Sequence, residues 1–187
     1  MDFEFGLKPI RKSRMDFNEI YFWTDTIKDW KHLLKQDKYK QLIIENLKIL
    51  VQEKMVVIYC FVIMPNHLHL IWELKIKNGS ERPHASFNKA TAQFMVNDLK
   101  ENHKMVLSYF EVKEKDRNFR IWQRDPMALL MDSREKLEQK LEYIHNNPLH
   151  EKWNLAKRPE DYYWSSAKFY ETGTDDFGFI THYGDRI

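Results

Sequence analysis

Apolar positions change their period several times along the chain, and each change marks an element. Asn18-Glu19-Ile20-Tyr21-Phe22-Trp23-Thr24 is rich in aromatic and β-branched residues and predicts a strand. Ile43, Leu47, Leu50 and Val51, with Leu42 beside them, recur at helical spacing and predict an amphipathic helix over 37–53. The apolar run over 55–64 suits a buried strand. Pro65-Asn66 punctuates it, and His67-Leu68-His69-Leu70-Ile71-Trp72-Glu73-Leu74 continues as a second strand, so the two should pair as a hairpin. A turn-rich link, Lys77-Asn78-Gly79-Ser80-Glu81-Arg82-Pro83, precedes Phe87, Ala90, Phe94, Met95 and Leu99, which predict a helix over 85–102. Phe119-Arg120-Ile121-Trp122-Gln123-Arg124 reads as a further strand. Asp132-Ser133-Arg134-Glu135 has the form of a capping box, with Asp132 as N-cap, opening a helix that Pro148 should stop.

The order β-α-β-β-α-β-α implies an α+β fold, a ferredoxin-like or RRM-like antiparallel sheet with helices packed on one face. The core should span about 18–148, with a C-terminal extension over 149–187. At 187 residues this is a single domain, 1–187, large enough to need no disulfide or structural metal. The one cysteine, Cys60, lies in an apolar run and is expected to be a small buried hydrophobe, which fits a reducing compartment. The N-terminus has no basic stretch leading into an apolar one, and no 18 uncharged apolar residues run together, so neither secretion nor membrane spanning is expected. Charge is balanced overall but divided: 22 Lys and Arg against 16 Asp and Glu up to residue 124, then 8 against 12. A basic front half permits nucleic-acid contact without demanding it. Five glycines and no G-x-x-x-x-G-K-[ST] or G-x-G-x-x-G exclude a P-loop nucleotide hydrolase.

Two histidines one residue apart in a strand point the same way, so His67 and His69 share a face while Leu68 and Leu70 turn to the core. Two imidazoles so placed can converge on one metal ion, although two exposed strand histidines would have the same pattern. In the helix from residue 133, Leu137, Leu141 and Ile144 form the apolar stripe. Lys136, Lys140, Tyr143 and Asn147 fall on another flank, related by steps of three and four. A phenol one turn from a carboxamide is the second candidate constellation. A Tyr packed beside a helix-terminal Asn is its structural counterpart.

Taken together these segments resemble a known family. Phe61-Val62-Ile63-Met64-Pro65-Asn66-His67-Leu68-His69-Leu70-Ile71-Trp72 is similar to the metal motif of the HUH superfamily. Tyr143-Ile144-His145-Asn146-Asn147-Pro148 resembles the Y-I-x-x-N-P segment of its single-tyrosine transposases. Trp122-Gln123-Arg124 and Trp164-Ser165-Ser166 are similar to landmarks of the REP-associated tyrosine transposases. The resemblance implies that His67, His69 and Asn147 bind a divalent metal, Mg²⁺ or Mn²⁺, and that Tyr143 is the nucleophile. It further implies cleavage and rejoining of single-stranded or hairpin DNA through a 5′-phosphotyrosine, in the bacterial cytoplasm and nucleoid. Lys136 and Lys140 would favour the phenolate. Arg11, Lys12, Arg14, Arg120 and Arg124 are candidate phosphate contacts, and Trp23, Trp122 and Tyr163 candidate stacking groups.

The chain departs from the family at Leu149-His150-Glu151-Lys152-Trp153, which lacks a usual glycine, and in its first strand, where relatives tend to carry a His. A histidine-triad hydrolase would need a third histidine where Ile71 stands. A DNA-binding descendant without transposition activity is the alternative reading. His145 is expected to be structural or solvent-facing, and His32, His84, His103 and His182 to lie at the surface. Trp153, Tyr162, Tyr163, Trp164, Phe169 and Tyr170 follow the tyrosine helix and need burial. Their packing over their own domain would assemble the site in cis, without requiring a dimer.

Overall fold

The structure, a computed structural model, describes residues 15–187. Arg11, Lys12 and Arg14 therefore lie outside the described residues. Strands β1 (Ile20–Thr26), β2 (Val56–Ile63), β3 (His67–Leu74) and β4 (Met127–Leu130) form one antiparallel sheet in the order β2-β3-β1-β4. Helices α1 (Asp37–Gln52), α2 (Pro83–Asn102), α3 (Lys104–Ser108), α4 (Arg134–Asn146) and α5 (Ala167–Thr172) complete the regular elements. This is the expected ferredoxin-like α+β arrangement. Among the described residues no helix is long and apolar enough to cross a membrane.

The period-two alternation of β3 divides the molecule. Leu68, Leu70, Trp72 and Leu74, with Tyr21 and Trp23 of β1, face a core completed by Ile43 and Leu47 of α1 and by Phe87, Met95 and Leu99 of α2. Helix α1 ends where Lys54 adopts a left-handed φ of 54°. The Met55 and Lys54 amides there bond back to the Leu50 and Val51 carbonyls. The expected single helical face holds for α1 and α2. Helix α4 crosses the opposite face, because its stripe of Leu137, Leu141 and Ile144 matches a second apolar patch of Phe22, Cys60, Val62 and Ile71. A register shift in β2 contributes to that patch. Ile58 pairs with Trp72 and Cys60 with Ile71, so both Tyr59 and Cys60 turn toward the α4 side.

Two sequence expectations shift. The fourth strand is Met127–Leu130, whereas Phe119 and Trp122 make only single bridges, to Glu111 and Ile27. The edge position explains the difference: β4 has one partner and keeps Met127, Leu129 and Leu130 more than a third exposed, so burial never wrote an alternating pattern into it. The N-cap of α4 is Ser133, whose hydroxyl accepts the Lys136 amide at 3.2 Å. Asp132 instead pairs with the Lys136 ammonium at 2.7 Å.

The C-terminal extension packs over its own domain. Ser165 bridges Val62 and Ile180 bridges Ile58, so residues after α4 line the outer edge of β2. The Ile63 amide donates to the Trp164 carbonyl at 2.9 Å, the Ser166 amide to Phe61 at 3.0 Å, and the Thr181 amide to Ile58 at 2.9 Å.

Candidate active site

The second face of β3 begins with His67 and His69, whose rings lie 4.6 Å apart between centroids. Both are almost fully buried, at 7% and 5% exposure. Each is oriented through its Nδ1. The Asn66 carboxamide spans two elements: its Nδ2 donates to the Trp30 carbonyl at 3.1 Å, and its Oδ1 lies 2.6 Å from His67 Nδ1. With the amide nitrogen committed as donor, Oδ1 must accept, so His67 carries its proton on Nδ1 and presents the lone pair of Nε2. Opposite His69 in the β1 register stands Thr24, whose hydroxyl lies 2.7 Å from His69 Nδ1. His69 Nε2 is buried and without a hydrogen-bond partner.

Helix α4 brings the second constellation to the same place because its apolar stripe docks on β2 and β3. The Tyr143 ring sits 5.4 Å from the His69 ring, and Phe22 stacks beneath His69 at 5.3 Å. Tyr143 is 42% exposed, whereas Asn147 is 4% exposed. Asn147 caps the C-terminus of α4, and Pro148 then forces a tight 3₁₀ turn. The Asn147 carboxamide acts on both His67 and Tyr143, yet its Oδ1 completes a hydrogen bond with neither.

Burial sets the electrostatics. It pushes His67 down to about 4, helped by the Lys152 charge and opposed by Asn147. His69 falls well below the ordinary imidazole value, first by burial and then through His67 and Lys140. Both imidazoles are thus neutral at physiological pH, the state in which they can act as ligands. Burial raises Tyr143 above a free phenol, and the nearby Asn147 carboxamide pulls the other way. Lys140 lies 5.2 Å from the Tyr143 ring centroid and 5.1 Å from that of Phe22, a cation held beside the phenol.

Thr24, Trp30, His67, His69, Tyr143, Asn147 and residues 150–153 line one cleft of about 450 Å³. The structure therefore brings together His67, His69, Asn147, Tyr143 and Lys140. Lys136 is tied to Asp132 at the surface. Trp122 is not a stacking platform: it is 5% exposed, and its indole donates to Thr91 Oγ1 at 2.9 Å inside the α2 core. Trp23 is likewise core, packed on Trp72 at 5.0 Å. Tyr163 is 54% exposed but lies beside Phe177, away from this cleft. Arg120 and Arg124 both pair with Glu114 and line a separate groove beside α2 with Lys89, Lys100 and Arg117. His145 is structural, its Nε2 buried 2.9 Å from Ser166 Oγ and 3.3 Å from Cys60 Sγ. The His32 ring lies 5.6 Å from that of Trp153, tilted by 50°, and His84 is only partly exposed.

Sequence reasoning missed four contributors: Thr24, Asn66, Trp30 and Trp153. Asn66 stood inside the quoted motif, and Thr24 required the β1–β3 register. Trp30 carried no pattern at all. It follows Asp29 in a pair of left-handed residues, φ 55° and 56°, a backbone that costs a non-glycine residue about 1–3 kcal/mol each.

A four-stranded antiparallel sheet bearing two inward histidines, with a tyrosine helix laid across them, defines the architecture around this cleft. Among solved structures the chain is similar to a REP-associated tyrosine transposase bound to a REP hairpin. The TM-score is 0.56 at 17% sequence identity, and the likeness covers 91% of each chain. At that identity the likeness is one of fold. No protein-family model matches the chain, and no curated protein matches it in sequence.

Proposed function

We propose that this chain is a single-tyrosine HUH transposase of the REP-associated type, which cleaves and rejoins single-stranded, hairpin-forming DNA through Tyr143. The observation that carries the reading is the cleft itself. A half-exposed phenol lies beside two neutral, oriented imidazoles, and two polar atoms there, His69 Nε2 and Asn147 Oδ1, are buried without partners. Leaving such atoms unpaired costs about 1–3 kcal/mol each, a cost that a bound cation would remove. His67 and His69 through Nε2 and Asn147 through Oδ1 would hold Mg²⁺ or Mn²⁺. Among the described residues no cluster of three or more His, Cys, Asp or Glu offers another metal site. Two nitrogens and one neutral oxygen admit such an ion, the amide oxygen being the harder donor and the imidazoles the softer ones, and leave positions for water and phosphate. When bound, the ion supplies Lewis-acid polarisation of the scissile phosphate.

The chain's own residues do the rest. The Tyr143 oxygen attacks phosphorus, the bond from phosphorus to the 3′ oxygen breaks, and the phenolic proton leaves to solvent while the 3′ oxygen ends as a hydroxyl. A 5′-phosphotyrosine results, and attack by a 3′-hydroxyl reverses the step. One phosphodiester replaces another, so no nucleotide hydrolysis is needed. Lys140 favours the phenolate, and Asn66 and Thr24 keep the imidazoles aimed. Tyr143 lies against the histidines of its own chain, which supports a site assembled in cis.

The test uses labelled single-stranded hairpin oligonucleotides with Mn²⁺ or Mg²⁺, followed by denaturing electrophoresis. The expected result is a covalent protein–DNA adduct that disappears with chelator and with Tyr143→Phe, a variant that keeps the ring packing. An adduct of wild-type yield from Tyr143→Phe would refute the assignment. DNA binding without any adduct from the wild type would point to the inactive DNA-binding alternative.

A further inference from the structure

Trp30 is 58% exposed at the mouth of the cleft, and the backbone that holds it there is left-handed at both Asp29 and Trp30. Three bonds fix that conformation. The Trp30 amide donates to the Ile27 carbonyl at 2.9 Å, Lys28 pairs with Asp29 at 2.7 Å, and the buried Asn66 side chain donates to the Trp30 carbonyl at 3.1 Å. Among the described residues no ring stacks on the Trp30 indole. Across the same cleft Trp153 lies 5.9 Å from the His67 ring, with Lys152 5.0 Å over its own face. An unfavourable backbone that presents a large, unstacked aromatic surface next to a nucleophile calls for a planar partner.

We propose that Trp30 and Trp153 form a stacking subsite for an unpaired nucleobase adjoining the phosphate that Tyr143 attacks. This rests on the reading of the cleft as a site for single-stranded DNA. A nucleobase fits the chemistry because its π-face stacks on indole whatever its identity. Lys152 over the Trp153 ring and Lys140 over the Tyr143 ring offset the phosphate charge. Asn66 makes the subsite more than a neighbour of the catalytic groups, since one carboxamide pins the Trp30 backbone and sets the His67 tautomer. A base seated on Trp30 is thereby registered against His67.

The experiment compares affinity for single-stranded oligo(dT) with affinity for an abasic deoxyribose-phosphate polymer of the same length, by fluorescence anisotropy. Wild type should prefer oligo(dT). Trp30→Ala should lose about ten- to hundred-fold in oligo(dT) affinity with little change toward the abasic polymer, while Trp30→Phe keeps most of the preference. Trp30 is exposed, so a melting temperature close to wild type should accompany both variants. Tyr143→Phe should retain the preference, which separates base stacking from covalent chemistry. Discrimination unchanged in Trp30→Ala overturns the subsite. If the wild type still forms the hairpin adduct in that case, the transposase reading survives alone. Failure of the wild type both to bind oligo(dT) and to form an adduct overturns both.

Discussion

One face of β3 treats its buried polar atoms in opposite ways at its two ends. At the far end Glu73 is completely buried and fully served. Tyr59 donates to it at 2.7 Å, and Lys75 and Arg186 pair with it at 2.5 and 3.3 Å. Burial alone would raise its carboxyl, but these partners outweigh it and hold it below the ordinary value. At the near end His69 Nε2 and Asn147 Oδ1 are as deeply buried and have nothing. His145, two residues beyond Tyr143 on α4, repeats the first pattern, with its Nε2 beside Ser166. The fold can therefore satisfy a buried imidazole or carboxylate with its own residues. In the cleft it leaves two acceptors open beside a half-exposed phenol, where they are available to something that is not protein.

The largest expected effect tests the open end. His69→Leu replaces an unpartnered imidazole with an apolar side chain. Divalent-dependent cleavage should fall about a thousand-fold or more, while thermal stability without metal stays level or rises. Kinetics and calorimetry on one preparation check both halves. A clear loss of stability with cleavage intact would make His69 a structural residue like His145.

Asp25 sharpens the contrast from the opposite face of the sheet. It has partners, Asn88 at 2.5 Å and the Thr26 amide at 2.8 Å, yet burial still raises its carboxyl from 3.8 to about 7. The folded state then holds a proton that the unfolded chain releases. The stability contributed by protonated Asp25 is complete below about 3.8 and drains away as pH climbs to about 7. Buried His67, His84 and His145, all lowered to about 4, act in the reverse sense and weaken the fold as pH falls below 6.5. Asp25→Asn removes the first slope and keeps the second. Its stability relative to wild type should grow between pH 4 and 7, by up to about 4 kcal/mol, and then level off. Denaturant melts across that range are the measurement, and a pH-independent difference would contradict the protonated state.

Glu73→Gln should cost less, about 1–3 kcal/mol, because Lys75 and Arg186 are partly exposed and recover water while the Tyr59 hydroxyl loses its anionic acceptor. Cleavage per folded molecule should not change. The smallest expected effect is none: His67→Ala mixed with Tyr143→Phe, under conditions that allow exchange of chains, should remain inactive. Restored cleavage would mean that the tyrosine serves a partner's histidines.

The sequence carried this site to the extent that its geometry is local. His67 and His69 share a face by strand alternation, and Tyr143 and Asn147 share a flank by helical spacing. No tertiary knowledge was needed to see either pair. The capping role of Ser133 in place of Asp132 is a one-residue choice between two good acceptors. Thr24 could not be read, because its partnership with His69 exists only once β1 and β3 adopt their register. Aromatic residues were the least legible class. Trp23 and Trp122 looked like platforms and are core, whereas Trp30 carried no pattern, Trp153 was expected only to need burial, and both line the cleft. Residue type alone does not say which face of a tryptophan will meet solvent.

The strip of chain laid along β2 also sets an order of events in folding. The contacts of Phe61 with Ser166 join residues 105 apart in sequence, and that of Tyr59 with Tyr170 spans 111, whereas the β2–β3 hairpin closes across the three residues Met64, Pro65 and Asn66. Loop closure is slower the longer the loop, so the hairpin and its α1 cover can assemble early, and the strip arrives late. While it is missing, β2 presents an unpaired edge of eight mostly apolar residues, the kind of surface on which chains recruit one another. Ser165, Ser166 and Tyr170 thus act as a seal: a chain whose sheet has formed but which has not yet closed this seam is the species most exposed to aggregation.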